Sequence, residues 1–417
     1  MRVLLTDGSS LTAREVVTCL GPLGHHLEVL DPDRLCLARF SRWVRKVHRC
    51  PHAGADPLAY INALGEVVGE RGIDVVLPTH EQAWLLASAG GLLAPHVRVA
   101  VASAAAFDRV QSKVEFARLL DELGLPQPTW RVVESASDLA DLAFPYWLKA
   151  AFSTAGQGVR QVVDARSRDA ALDALSGEHP MMAQQPAGGQ YGQVQGLFDR
   201  GRLIAAHTSV QRAVGMGGSA AARLGVDHSR PREHIAVLGE ALQWHGGLTL
   251  DYLHEDSSPR YIECNPRTVE PANAAASGVN IPELQVRVTL GEELPPKPRP
   301  EPAGVRTHGT IALLMGGASR GESRRSLLRE MRDAIVHRGL YASSVEQLTP
   351  LLRDPPSLAP AMFVAARLLL SPRGATSIAE QAVASYSIGP DAVAAVAKAA
   401  TLRAAAANAD AGGISLS

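Results

Sequence analysis

The sequence has almost no net charge, no long apolar run, and few cysteines or lysines. Its 417 residues carry a formal net charge of −1, with 20% charged residues, so nothing favours nucleic acid or a membrane surface as a partner. No apolar stretch approaches the ~20 residues needed to cross a bilayer, and the run after Met1 is too short for a signal peptide. We therefore expect a cytoplasmic protein of several lobes, because a single core does not grow to this length.

The four cysteines are scattered along the chain and form no CxxC pair, which argues against a zinc site. A zinc interpretation of the segment 48–52, His-Arg-Cys-Pro-His, lacks a second pair of ligands. Free thiols are the simpler interpretation of Cys19, Cys36, Cys50 and Cys264.

Lysine is scarce in a chain that habitually uses arginine. Where arginine is the usual choice, a retained lysine suggests a need for a compact point charge, which suits a phosphate. The 41 basic residues include five lysines, which are Lys46, Lys113, Lys149, Lys297 and Lys398.

The first 105 residues alternate strand and helix signals, a rhythm that predicts an open parallel α/β sheet. Ligands bind at the carboxyl ends of the strands in such sheets, so segments 6–10 and 79–81, together with Asp31, are expected to face a crevice. The predicted strands are 3–5, 27–30, 75–77 and 97–101, and the predicted helices are 12–20 and 81–89.

The rest of the chain divides into three parts. Residues 106–180 form a smaller unit with a helix at 112–123 and strands near 129–133 and 146–150. Residues 181–294 are antiparallel, with hairpins at 193–209 and 248–264. A proline-dense run at 295–302 predicts a stiff linker to a helix-rich tail. Whether that tail caps a site or forms a dimer interface stays open.

The strongest local pattern is a pair of polar strands, Leu-Thr-Leu-Asp251 and Tyr-Ile-Glu263-Cys-Asn265-Pro-Arg267. Side chains alternate between faces along a strand, so Glu263 and Asn265 point the same way, and Asp251 shares that face if the two strands pair in register. Two carboxylates and an amide oxygen suit Mg²⁺, which completes its octahedron with phosphate oxygens and water. A surface hairpin with a solvated polar face is the alternative.

A second pattern is a lysine followed by a loop rich in serine, threonine and glycine. The lysine's point charge and the backbone N–H groups of such a loop suit phosphates. This is not a Walker A loop, which needs Gly-Lys-Ser/Thr entering a helix, and an ordinary flexible hairpin is the alternative. The residues are Lys149 and then Ser153, Thr154, Gly156, Gln157 and Gly158, followed by a returning strand at 159–163.

Two weaker signals complete the set. Lys113 lies on the helix 112–123 and can reach a phosphate if that helix faces a cleft; a solvated lysine is the alternative. The segment Gln184-Gln185-Pro186-Ala187 ends a predicted strand and can present its edge to an adenine, with one of the two glutamines bonding the exocyclic amine. A strand running into a turn is the alternative there.

Taken in order, these elements resemble the ATP-grasp superfamily: a helix lysine, a strand lysine with a glycine loop, a polar hinge, then Asp…Glu-x-Asn-Pro-Arg. The resemblance covers roughly residues 1–294 and is to the branch that includes biotin carboxylase, the carbamoyl-phosphate synthetase large chain and carboxylate–amine ligases. It implies an α/β fold with an α+β core. Its expected parts are an N-terminal open parallel-sheet domain (1–105), a lid subdomain (106–180), an antiparallel ATP-binding lobe with the metal site (181–294) and a helix-rich C-terminal extension (303–417).

The resemblance also implies roles for the residues above. Lys113 and Lys149 contact ATP phosphates, the loop from Ser153 to Gly158 closes over them, and the segment from Gln184 to Ala187 forms the adenine hinge. Magnesium, or manganese as the alternative, is held by Asp251, Glu263 and Asn265, while Arg267 steadies an acyl phosphate and Arg212 adds a phosphate contact. Two features depart from the family pattern: the hinge has glutamine where many relatives have glutamate, and the first metal position is aspartate, as in members similar to D-alanine–D-alanine ligase.

The implied activity is that of a carboxylate–amine ligase. The γ-phosphoryl group moves to a substrate carboxylate, an amine attacks the acyl phosphate, and ADP and phosphate leave with an amide or peptide bond formed. The expected partners are small-molecule acids and amines, such as amino acids or peptides, with no nucleic acid or membrane, and a homodimer is possible in principle. One alternative is phosphorylation of bicarbonate or another small acid, as in biotin carboxylase and carbamoyl-phosphate synthetase. The other is a non-catalytic nucleotide-binding module.

Overall fold

The structure is a computed structural model that describes residues 1–154, 156–177, 180–255, 258–294, 303–372 and 374–413, with side chains through residue 406. The linker predicted at 295–302 lies outside the described residues. Across the part of the chain that is described, no helix combines the length and the apolar character needed to cross a membrane.

The N-terminal domain is built on a four-stranded sheet in the order β3-β2-β1-β4, with every neighbouring pair parallel. The central strands are short and apolar because they are covered on both faces, and the predicted parallel α/β sheet is confirmed. Its strands are β1 (Arg2–Leu5), β2 (His26–Asp31), β3 (Val44–Arg49) and β4 (Val75–Leu77). Its helices are α1 (Leu11–Leu20), α2 (Pro57–Arg71) and α3 (Gln82–Ala89).

The prediction of a strand at 97–101 is wrong. Segment 97–101 has one backbone hydrogen bond to the sheet, from the Val76 amide to the Arg98 carbonyl at 2.8 Å. The carbonyl of Ala100 instead accepts a bond from the Gln285 side chain at 3.4 Å. The alternating valines pack on the core without forming a ladder, so their spacing reflects burial and not strand pairing.

A small lid sheet follows, in the order β5-β8-β6-β7 and antiparallel throughout. The strand Met181–Gln184, which the sequence division placed at the start of the next lobe, pairs inside this sheet. Ser112 caps the predicted helix through the Glu115 amide, and that helix begins at Lys113. The elements are α4 (Ala104–Gln111), α5 (Lys113–Glu122), β5 (Trp130–Val133), β6 (Tyr146–Ala150), β7 (Val159–Val162), α6 (Ala165–Ala174) and β8 (Met181–Gln184).

The largest sheet has seven strands in the order β13-β12-β9-β10-β11-β14-β15. Both predicted hairpins are present. In the first hairpin, Arg200 and Gly201 form the two-residue turn, and their φ values of 47° and 83° are positive, as such a turn requires. The elements are β9 (Gln190–Asp199), β10 (Arg202–Val214), β11 (Ala220–Val226), α7 (Ser229–Ala241), β12 (Gly246–Glu255), β13 (Ser258–Asn265), α8 (Ala272–Ala276) and α9 (Ile281–Leu290).

The C-terminal extension joins both neighbouring parts. Its first strand pairs with β11, and its last helix packs on α2 and α3. A fully buried ion pair between Arg14 and Asp354, at 2.7 Å, ties it to the N-terminal domain. Its elements are β14 (Arg306–His308), α10 (Thr310–Ser319), α11 (Arg324–Ile335), β15 (Ser344–Glu346), α12 (Leu358–Leu370), α13 (Gly374–Tyr386) and α14 (Pro390–Gly413).

Candidate active site

A polar face on the hairpin of β12 and β13 forms the centre of the site. Asp251 and Glu263 are direct cross-strand partners, so their side chains leave the sheet on the same side. The Asn265 amide donates to Oδ2 of Asp251 at 3.2 Å, and the Gln193 amide donates to Oδ1 at 3.1 Å. The three side chains predicted to share a face therefore do so.

The electrostatics of this face favour a cation. Burial, and then the negative charge of Glu263, raise the pKa of Asp251 to about 6, which means that the ionised carboxylate lacks sufficient positive charge nearby. Among the described residues no three His, Cys, Asp or Glu side chains are arranged to hold a metal. Two carboxylates with an amide oxygen nevertheless fit Mg²⁺, whose other ligands are water and phosphate.

The two predicted phosphate-binding lysines converge on β13 from different elements. Lys113 opens α5, and its Nζ lies 3.3 Å from Oε1 of Glu263. It also donates to the carbonyl and the hydroxyl of Ser153, both at 3.1 Å. Lys149 is the penultimate residue of β6 and donates to the Ile262 carbonyl at 3.2 Å. Burial lowers the pKa of Lys149 to about 8.

Backbone hydrogen bonds hold the described part of the glycine loop between β6 and β7. The Val159 amide bonds the Gly156 carbonyl at 3.2 Å, and the Gln157 amide bonds the Thr154 carbonyl at 3.1 Å. Gly156 has a φ of 73°, and a Cβ on Gly158 would stand 2.5 Å from that of Ser153. Both glycines are therefore required by the backbone path.

The predicted hinge contacts a lysine. Oε1 of Gln184 accepts a hydrogen bond from Nζ of Lys149 at 2.7 Å. The backbone N–H of Gln185 donates to the Thr129 carbonyl. Of the two glutamines, Gln185 is therefore the better candidate for an adenine amine, because the oxygen of Gln184 is already engaged. Pro186 and Ala187 follow directly after β8, at the start of the connection to β9.

The two predicted arginines lie in different settings. Arg267 lines the cleft, and burial lowers its pKa although Glu81 acts in the opposite direction. Its Nη1 is buried and has no hydrogen-bond partner among the described residues. Arg212 is exposed at a bulge in β10 and is not among the residues that line the cleft.

The cleft has a volume of about 540 Å³, including space open to solvent. Segment 79–81, predicted to face a crevice, contributes His80 and Glu81 to its wall. Asp31 instead bonds the Gly8 amide at 2.7 Å and the Ser9 hydroxyl at 3.0 Å, which orders the turn after β1.

The extension contributes residues that sequence reasoning missed. The ring of Tyr386, at the end of α13, lies 3.8 Å from that of His80. The Ile388 amide donates to Oε2 of Glu81 at 2.8 Å, while the Thr154 hydroxyl donates to Oε1. Glu81 thus joins the N-terminal domain, the glycine loop and the extension. Glu81 and Ile388 are 307 residues apart in the chain, so no local sequence pattern predicts their contact.

No family model matches the chain, but its sequence resembles several curated proteins. It is 28% identical over 169 residues to acetyl-CoA carboxylase of Schizosaccharomyces pombe, covering 36% of this chain and 7% of that protein. It is 23% identical over 259 residues to the carbamoyl phosphate synthase large chain of Pyrococcus furiosus, covering 55% and 24%. The chain therefore spans less than a quarter of the length of either relative.

Solved structures match over most of the chain. The biotin carboxylase domain dimer of Hydrogenobacter thermophilus 2-oxoglutarate carboxylase, solved with MgADP, ADP and bicarbonate, gives a TM-score of 0.58 at 14% identity, covering 73% of each chain. N5-carboxyaminoimidazole synthetase of Staphylococcus aureus with ADP gives 0.56 at 14%, covering 73% and 80%. L-amino acid ligase of Bacillus licheniformis gives 0.53 at 15%, covering 69% and 74%.

Proposed function

We propose that this chain, which has an ATP-grasp fold, is an ATP- and magnesium-dependent ligase that phosphorylates a carboxylate and joins it to an amine. One observation carries the proposal. Asp251 and Glu263 face each other on the hairpin, and the side chains of Lys113 and Lys149 reach the same strand, β13. Ammonium groups that can bind phosphates therefore lie beside oxygen ligands that can bind a metal ion.

The oxygen ligands have a specific task in this proposal. Asp251, Glu263 and Asn265 would hold a magnesium ion, which would supply positive charge to neutralise the outer phosphates of ATP. Lys113 and Lys149 add point charges on the phosphates. Their present contacts, with Glu263, Ser153, Gln184 and Ile262, position the ammonium groups before nucleotide arrives.

The remaining residues orient and enclose the reactants. The loop from Ser153 to Gly158 covers the phosphates and excludes water from a hydrolysable acyl phosphate. Gln185 and the backbone near Ala187 bind adenine, and Arg267 neutralises the phosphoryl group as it transfers to the acid. Arg212 is proposed as a peripheral phosphate contact. A carboxylate is already a competent nucleophile, so positioning and charge neutralisation suffice.

A second candidate reaction has its own support. The solved structures include a biotin carboxylase domain with bicarbonate bound, and carbamoyl phosphate synthase is among the relatives. In this second reaction the same site phosphorylates bicarbonate in place of an organic acid. The step that follows phosphorylation then differs from amide formation. The similarity in fold to L-amino acid ligase supports the amine reaction.

ADP and phosphate release, measured across pairs of amino acids and small acids with mass spectrometry of products, tests the proposal. We expect release that requires both an acid and an amine and yields a condensed product. Release that needs bicarbonate or an acid but no amine would support the second candidate instead.

The Glu263→Gln variant distinguishes a ligase from a nucleotide-binding module. A ligase should lose turnover steeply, because one negative ligand of the cation is removed. A module without turnover would show only altered nucleotide affinity. A chain that binds ATP yet releases no ADP with any acid, amine or bicarbonate would overturn the proposal.

A further inference from the structure

Three buried polar atoms on residues lining the cleft have no hydrogen-bond partner among the described residues. They are Nη1 of Arg267, Nδ1 of His80 and Nε1 of Trp84. His80 is 6% exposed and Trp84 is 4% exposed. A buried polar atom without a partner costs free energy, so three around one cleft point to a ligand that satisfies them.

The chemistry of these atoms selects the ligand. A guanidinium N–H and an indole N–H can only donate. Burial, and then the charge of Arg267, hold the pKa of His80 well below its usual range, so its ring is neutral and can donate through Nδ1. A group that meets all three must offer several acceptor oxygens.

The carboxylate that follows His80 in the sequence is already engaged. Glu81 accepts the Thr154 hydroxyl on one oxygen and the Ile388 amide on the other. On the part of the cleft wall around His80 and Trp84, three donors are therefore open while this carboxylate is not, which favours an anionic ligand there.

His80 and Trp84 come from the N-terminal domain, whereas the phosphate-binding lysines come from α5 and β6 of the lid. His80 follows the carboxyl end of β4, the edge at which open α/β sheets bind ligands, and Trp84 lies one turn into α3. Phe107, Val110 and Phe116 line the cleft as well and lower the local dielectric, which strengthens a hydrogen bond to an anion. The ring of Tyr386 packs on His80 and fixes its orientation.

We propose that His80 and Trp84, together with Arg267, form the subsite that binds a carboxylate of the acid substrate. The inference rests on the proposed ligase function and adds two substrate-binding residues to it. Tyr386, from the extension, acts as a positioning residue because it packs on the ring of His80 and is not among the residues that line the cleft. A terminal phosphoryl group of the nucleotide offers the same acceptor oxygens, and the test must separate the two sources.

Indole NMR signals give a direct readout. The chain has five tryptophans, and the ¹⁵N–¹H indole signal missing from Trp84→Phe belongs to Trp84. That variant keeps an aromatic ring against Phe152, which lies parallel to the indole at 5.8 Å. We expect acetate, malonate or one of the proteinogenic amino acids, titrated in turn, to move the Trp84 signal downfield. The signal of Trp130, whose indole already donates to Asp121 at 3.0 Å, should stay in place.

Kinetics provide the second readout once the acid substrate is known. Trp84→Phe and His80→Phe should each raise KM for the acid roughly ten- to a hundredfold, the loss of one hydrogen bond to a charged group, with KM for ATP unchanged. His80→Phe keeps the ring stacked on Tyr386. Trp130→Phe is the matched control and should leave both KM values unchanged. Thermal melting of each variant checks that the fold survives.

Each outcome decides between the subsite and the activity. A Trp84 signal that responds to no acid, or that responds to a non-hydrolysable ATP analogue and to no acid, overturns the subsite. If such a protein still releases ADP with an acid, the ligase proposal stands without it. A Trp84 signal that moves with an acid, in a protein that never releases ADP, keeps the subsite and overturns the ligase.

Discussion

Two buried carboxylates on two sheets of this protein have opposite electrostatic surroundings. Glu28, on β2, contacts Arg71 at 3.0 Å, His48 at 2.5 Å and His26 at 2.9 Å. Burial alone would raise its pKa, but hydrogen bonds from Arg71, His48 and His26 outweigh burial and lower the pKa to about 2. Asp251, on β12, has amide partners and a neighbouring Glu263, and its pKa rises to about 6.

This difference in surroundings distinguishes the structural ion-pair cluster at Glu28 from the candidate ligand-binding site at Asp251. At Glu28 the chain supplies its own counter-charges, so nothing further is needed. At Asp251 the hydrogen bond from Gln193 and the charge of Arg223 do not offset burial and the charge of Glu263. In the same region Arg267 retains an unpartnered Nη1 and Lys149 has a lowered pKa. Groups with perturbed pKa values or without a hydrogen-bond partner are concentrated in functional sites, where a bound ligand can supply the missing charge or hydrogen bond. If the distinction holds, substitutions at Asp251 affect turnover and substitutions at Glu28 affect stability.

The largest effect is expected for Asp251→Asn. Removing a negative metal ligand should lower kcat/KM roughly 10²- to 10³-fold, the range for losing one preorganised charge-stabilising group. Because the ionised carboxylate binds the cation and its pKa is about 6, wild-type kcat/KM should also fall as pH drops through about 6. A pH profile at sub-saturating free magnesium measures this, because a bound cation stabilises the ionised carboxylate and moves the acidic limb to lower pH. Full activity of Asp251→Asn would remove the metal site from the proposal.

Lys149→Met should follow, with kcat/KM for ATP reduced about 10²-fold because a buried charge on the phosphates is lost. Methionine keeps the length of the side chain, so packing against Gln184 and Ile262 changes little. Arg160→Met is a matched control, since the guanidinium of Arg160 reaches backbone carbonyls at the end of the glycine loop. Equal losses in both variants would mean that the effect comes from a general loss of positive charge or of loop structure, and not from a specific role of Lys149.

A smaller effect, with a defined sign, is expected for Gln184→Glu. The carboxylate would stand about where the amide oxygen now accepts from Lys149 and would raise the pKa of Lys149 from about 8. The alkaline limb of kcat/KM for ATP, which reports the free enzyme, should move to higher pH. At neutral pH the new ion pair competes with phosphate, so KM for ATP should rise a few-fold. An unmoved limb would mean that another group sets it.

Much of this arrangement could be predicted from local sequence, because it depends on strand alternation. Asp251, Glu263 and Asn265 share a face whenever the two strands pair in register, and the apolar runs at β1, β2 and β4 leave little doubt about a parallel sheet. The strand β3 was not predicted because, at the sheet edge, Val44–Arg49 carries exposed and basic residues, which resemble a loop.

Other contacts could not be predicted because they depend on tertiary packing. The bond between Gln184 and Lys149 requires the pairing of β8 with β6, and the sequence division separated these strands. The contact of Tyr386 with His80 requires the extension to fold back onto the N-terminal domain. That the ring N–H groups of His80 and Trp84 have no hydrogen-bond partner can be known only from the positions of all the residues around them.

Glu28→Gln should have the smallest effect on turnover and tests the other half of the comparison. We expect wild-type kinetics, because every contact of Glu28 lies within the N-terminal domain, on β2, β3 and α2. Stability at neutral pH should fall by about 1–3 kcal/mol, since Arg71 and two histidines lose a charged acceptor. The sign of the pH dependence follows from the lowered pKa: the advantage of wild type is complete above the unfolded pKa of ~4.3 and is lost as pH falls towards 2. Denaturant melts of both proteins between neutral pH and pH 3 measure the difference. A gap that stays constant with pH would show that the cluster is held by packing and not by charge, and the contrast with Asp251 would then lose its electrostatic basis.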